Sequence, residues 1–90
     1  MKFSVPRNLE GSQREIAECR VLCECVDAFA KEMKAKLCMK AIHGYRGWDD
    51  EANTEGLRHM IQRRVDGPKP TTKDIDIANY AMFLWNLNQE

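Results

Sequence analysis

Apolar residues recur at Ile16, Cys19, Leu22, Cys23, Val26, Phe29, Ala30, Met33, Leu37 and Ala41. This spacing follows the helical period and places them on one side of a single long helix. Arg20, Glu24, Asp27, Lys31 and Lys34 fall on the other side. Opposite charges at 20/24 and 27/31 stand one turn apart, as on a solvated helix face. Ser12-Gln13-Arg14-Glu15 has the capping-box pattern, with Ser12 at the cap and Glu15 three residues on. The helix is therefore expected over about residues 12–42, closing at Ile42-His43-Gly44. Ahead of it, residues 1–11 read as an arm broken by Pro6 and Gly11, with Phe3, Val5 and Leu9 as its anchors.

Two further helices follow. The first is expected over about 54–65, with Leu57, Met60, Ile61 and Val65 as its apolar stripe and Arg58, His59, Gln62, Arg63 and Arg64 around the rest. Gly67-Pro68-Lys69-Pro70 ends it, Gly67 serving as the C-cap. The second is expected over about 72–87, capped by Thr71, with Asp74 near its positive end. The expected fold is thus all-α: an arm (1–11) and one three-helix domain (12–90). The long apolar stripe of the first helix and the nearly all-round apolar third helix exceed what a short second helix covers. A helical-bundle homo-oligomer, with a dimer as its minimal form, is the expected remedy.

Charge and cysteine usage narrow the function classes. The 14 Lys and Arg balance the 14 Asp and Glu, which argues against general nucleic-acid binding but leaves room for a local anion pocket. No stretch has the length of a membrane span, and the N-terminus lacks the apolar core of a signal peptide. The chain is accordingly expected in a reducing cytoplasm, where a disulfide framework is not expected. Cys19 and Cys23 share a helix face and, with His43, are a conceivable metal set. Their spacing matches no zinc pattern, and buried thiols are the commoner use of such cysteines.

Two places carry candidate chemistry. In the loop His43-Gly44-Tyr45-Arg46-Gly47-Trp48, Trp48 is either a core plug or a wall that stacks a flat ligand, with Arg46 available to an anion. The Arg-rich second helix is either a solvated face or a phosphate-binding surface. In the third helix, Lys73, Asp76, Asn79, Tyr80 and Phe83 form a row among Ile75, Ile77, Ala78, Ala81, Met82, Leu84 and Trp85. Asp76 and Asn79 need partners there. Either Asp76 pairs with a base such as Arg64 while Asn79 ties helices together, or the row faces a pocket.

Phe29-Ala30, Met33, Lys36-Leu37, Gly47-Trp48, Leu57, Ile61 and above all Asp76-Ile77-Ala78-Asn79-Tyr80-Ala81-Met82 occur in an order that resembles short phage-encoded relatives of the MazG-like, all-α nucleoside triphosphate pyrophosphohydrolases. The resemblance spans about residues 26–87. It implies a helical, oligomeric, magnesium-dependent hydrolase with an ExxE pair on one helix and an ExxD pair on a later one, because a hard cation bound to triphosphate needs several carboxylates. This sequence keeps only the last acid, Asp76; Lys73 stands three residues before it, and residues 57–65 contain no acid at all. The Glu15-Ile16-Ala17-Glu18 string sits on the wrong helix. The substitution of bases for acids turns a metal site into one suited to direct phosphate contact.

The leading expectation is therefore a non-catalytic protein that binds a linear or cyclic nucleotide on a degenerate pyrophosphohydrolase scaffold. Sequestering a host nucleotide signal in the host cytoplasm, as phage counter-defence, is the role it would fill. Trp48 or Tyr80 would stack the base. Asp76 and Asn79 would bond base or ribose, Arg46, Arg58, Arg63, Arg64 and Lys73 would contact phosphates, and His59 is a further expected ligand-binding residue. Neither cofactor nor metal is required on this reading. One alternative is a surviving pyrophosphohydrolase with magnesium on Asp76, His59 or Asp76 serving as the base. The other is a small protein that binds a host protein and no small ligand.

Overall fold

The computed structural model describes residues 1–67 and 73–89, with the Lys73 side chain outside the described part. Among the described residues the chain is all-helical: α1 (Gly11–Ile42), a 3-10 turn (Glu51–Asn53), α2 (Thr54–Asp66) and α3 (Lys73–Leu87), with no strand. No helix among these residues is long and apolar enough to cross a membrane. The chain forms two compact units, Met1–Lys31 and Glu32–Glu90, with the boundary inside α1.

In the first unit α1 begins one residue ahead of the expected cap. The Arg14 amide donates to the Glu10 carbonyl (3.4 Å), and Gly11 adopts φ +61°. Ser12 thus lies in the first turn and Glu15 in the second, rather than forming a cap ahead of the helix. On the charged face, Arg14–Glu18 pairs at 2.7 Å and Arg20–Glu24 at 3.9 Å. The expected Asp27–Lys31 pair is not formed, as is common where two long exposed side chains gain little from meeting. The arm residues Phe3, Val5 and Leu9 are half-buried, and Ala17 is buried. Cys19, Cys23 and Cys25 here, and Cys38 in the second unit, are all free and exposed, which overturns the expectation of buried thiols. The apolar side of α1 is turned outward at Cys19 and Cys23, so their burial does not follow from the helical period alone.

The second unit is organised by α2 packed on α3. Ahead of them α1 closes as the sequence predicts. Tyr45 N–H donates to the Lys40 carbonyl (3.0 Å) and Gly44 N–H to that of Ala41 (3.1 Å), while Gly44 takes φ +88°. This paired closure with a left-handed glycine satisfies the last helical carbonyls. In the loop that follows, Asp50 Oδ1 accepts from Ala52 N–H (2.9 Å), which nucleates the 3-10 turn. Asn53, instead of capping α2, donates through Nδ2 to the Gly47 carbonyl (2.7 Å).

Gly47 has φ +97°, and a Cβ added there would lie 2.8 Å from Asn53 Nδ2. Gly47→Ala is expected to lose about 1–2 kcal/mol through strain and the broken Asn53 bond. Gly56→Ala, in α2 and facing open space, should be neutral or stabilising by up to about 1 kcal/mol. Urea titration of both variants checks this; equal effects would refute it.

The α2 stripe is offset from the expected one. Leu57 is buried, Met60 and Ile61 are half-buried, but Val65 is 61% exposed. Two full turns after Leu57 comes Arg64, not Val65, so the inward row ends on a guanidinium. Gly67 closes α2 in an extended conformation (φ −71°, ψ 156°) rather than a left-handed one, because a residue before proline is restricted to that region. Pro68–Thr72, including the expected Thr71 cap, lie outside the described residues. In α3 the nearly all-round apolar surface is not all turned inward, since Ala81 is exposed and Trp85 is 64% exposed. The buried positions are the polar ones, Asp76 and Asn79 (4% exposed).

Candidate functional site

Asp76 gathers cations from two other helical segments. Its Oδ1 meets Lys36 Nζ at 2.5 Å and Lys40 Nζ at 3.9 Å, and its Oδ2 accepts from Arg64 Nε at 3.3 Å. Lys36 and Lys40 stand one turn apart on α1, so both reach the same carboxylate. One acid facing three bases leaves an excess of positive charge in a partly desolvated place. Burial pushes the Asp76 carboxyl upward. The Lys36 and Arg64 side chains bound to it, with the added charge of Lys40, outweigh burial and hold it below its ordinary value.

A carboxylate depressed in the folded state stabilises the fold above its unfolded pKa of about 4 and loses that contribution as pH falls through the folded value. Thermal melting should therefore show a stability loss below about pH 4 that Asp76→Asn no longer shows. An identical acid profile in the variant would refute the assignment.

The cluster adjoins a cleft of about 760 Å³ in the same unit. Its aromatic side is built from Tyr45, Trp48, Tyr80 and Phe83. The Trp48 and Phe83 rings are tilted at 5.6 Å, and the Tyr80 and Phe83 rings meet edge to face at 6.0 Å. Lys40 Nζ lies 5.5 Å from the Tyr80 ring and the Arg64 guanidinium 4.8 Å, so the cations that bind Asp76 also orient this wall. Leu37, Leu57, Met60 and Met82 make the apolar remainder. Among the described residues, Lys40, Arg46 and His59 are its basic lining side chains, and none of the lining residues is a carboxylate. Arg46 donates to the carbonyls of Ala41 (3.2 Å) and Tyr45 (2.8 Å), which ties it to the end of α1.

The sequence-predicted residues divide accordingly. Arg46, Trp48, His59 and Tyr80 line the cleft. Trp48 is 45% exposed, so it is a wall and not the core plug that was the alternative. Arg64 and Asp76 form the ion cluster beside the cleft. Asn79 is buried next to Asp76 on α3, and its Oδ1 finds no partner among the described residues. Neither Asp76 nor Asn79 belongs to the lining. Arg58 and Arg63 are exposed on α2 and apart from the cleft. The Lys73 side chain lies outside the described part.

Sequence reasoning missed Lys36, Lys40 and Tyr45 as contributors, while Phe83 was named only as a member of the third-helix row. The one available signal was the one-turn spacing of Lys36 and Lys40. No group of three or more metal-ligating side chains occurs among the described residues. Cys19 and Cys23 stand one turn apart on α1, and the Cys19 charge, then desolvation, a bond to Cys19 and the Asp27 charge push the Cys23 thiol up.

Compared with known proteins, the chain matches no family model, no curated protein and no solved structure.

Proposed function

We propose that this chain binds a nucleotide, linear or cyclic, in the cleft between the end of α1, the Tyr45–Trp48 loop, α2 and α3, and releases it unchanged. The observation that carries the reading is the lining itself: an aromatic wall beside Lys40, Arg46 and His59, with no acid among the described lining residues. Such a wall takes a flat base by stacking, and basic side chains take phosphate oxygens directly. The exposed Arg58 and Arg63 add positive field near α2 and guide an anion without touching it.

Turnover is disfavoured by the state of Asp76. In the MazG-like pattern that the sequence resembles, this acid would hold magnesium. Here its oxygens already face Lys36, Lys40 and Arg64, whose charges oppose a divalent cation. On this reading Asp76 positions Lys40 and Arg64 rather than a metal. Sequestration of a nucleotide signal is the role that such binding without chemistry serves.

Calorimetric titration with a panel of linear and cyclic nucleotides tests the proposal. Saturable binding that persists in EDTA supports it. Magnesium-dependent release of pyrophosphate that is abolished in Asp76→Asn would replace it with the hydrolase reading.

A further inference from the structure

Ile16, Leu22 and Val26 on α1 are 70%, 63% and 64% exposed, and Cys19 and Cys23 beside them are exposed as well. Buried Ala17 and half-buried Val21 and Ala28 lie on the opposite side of the same helix. The outward row has a finer pattern than mere amphipathicity. Exposed Ile16, Cys19, Cys23 and Val26 are separated by alternating steps of three and four, which the sequence continues at half-buried Ala30, Met33 and Leu37. That heptad spacing is the seam of a helix that packs lengthwise on another helix.

We propose that this face docks on the same face of a second copy of the chain, antiparallel. Cys23 would lie opposite Val26 of the partner subunit, and Cys19 opposite Ala30 of the partner subunit. The residues flanking the seam select both the occupant and the register. In this arrangement Arg20 meets Asp27 of the partner subunit, Leu22 meets Phe29 of the partner subunit, and two-fold symmetry repeats each pair. Sliding the antiparallel register by one heptad sets Arg20 against Arg20 of the partner subunit, or Asp27 against Asp27 of the partner subunit. A parallel pair sets Asp27 against Leu22 of the partner subunit, desolvating a charge against an apolar side chain. Among these arrangements the exposed face is complementary to itself in one, which favours a second copy over an unrelated helix as its occupant. Small side chains at Cys19 and Ala30 let the two backbones approach closely. The paired stretch from Ile16 to Ala30 shares no residue with the cleft, so the dimer and the nucleotide proposal stand or fall separately.

Charge exchange across the seam tests it, using side chains exposed in the single chain. Sedimentation velocity at micromolar concentration should show the wild-type chain above monomer mass. Arg20→Asp alone and Asp27→Arg alone should each weaken association at least tenfold. An equimolar mixture of the two should regain it, because each variant then supplies the charge that the other lacks. Ala30→Cys should form an oxidised cross-link to Cys19 of the partner subunit. A monomeric wild-type chain, a mixture no tighter than the single variants, or spontaneous Cys23–Cys23 cross-linking, which marks a parallel pair, would each overturn the proposal.

Discussion

Asp76→Ala is expected to cost about 3 kcal/mol of stability, the largest single effect in the chain. The carboxylate is the common partner of Lys36, Lys40 and Arg64, and its removal leaves those charges facing one another in a partly desolvated space. Breaking one side of a buried pair costs more than the pair is worth, because the remaining charge keeps its desolvation penalty. A domain of this size has on the order of 5 kcal/mol of stability in total, so the variant should keep only about 2 kcal/mol and unfold at a clearly lower urea concentration. The loss should be partly reversed by Lys36→Met and Arg64→Met in the Asp76→Leu background, where the charges are replaced by apolar side chains of similar length. Urea titration of the variants reads both effects. A loss under about 0.5 kcal/mol for Asp76→Ala would mean the cluster is solvated and contributes no more than a surface pair.

The second large effect concerns binding. Trp48→Ala should weaken nucleotide affinity about 10- to 100-fold, the worth of one stacked base. Trp48 is half exposed and touches Phe83 at the edge of the cleft, so the variant should keep its melting temperature within a few degrees. Trp48→Phe, which retains a flat face, should recover most of the affinity. Arg46→Ala should act differently: it removes an anion contact and should flatten the salt dependence of binding. If Trp48→Ala binds as the wild type does, the aromatic wall is a packing feature and the stacking role fails.

These two residues also show what the sequence could and could not disclose. The helices were legible within about a residue, because apolar periodicity and the His43-Gly44 and Gly67-Pro68 breaks are local signals. Trp48 and Arg46 were legible as loop residues between glycines, and both line the cleft. The orientation of α3 was legible only through Asp76, whose pairing with Arg64 was one of the two readings of its row. Apolar side chains surround most of that helix, so hydropathy prefers no face, and the deciding force is the need of Asp76 for cations. Lys36 and Lys40 escaped notice because they stand in a lysine-rich stretch whose members look alike until the fold chooses two of them. Val65 was misassigned by one position, the difference between a row ending in valine and one ending in Arg64. The exposure of Cys19 and Cys23 has the same origin: a helical period shows which residues share a face, but not what covers it.

The account rests on the claim that the cleft holds a nucleotide without chemistry. Native mass spectrometry of the purified chain, incubated with a mixed pool of linear and cyclic nucleotides and magnesium, tests it most directly. The prediction is a retained nucleotide of unaltered mass, lost in Trp48→Ala. A bare protein spectrum over the whole pool, or the appearance of nucleoside monophosphate and pyrophosphate, would contradict it.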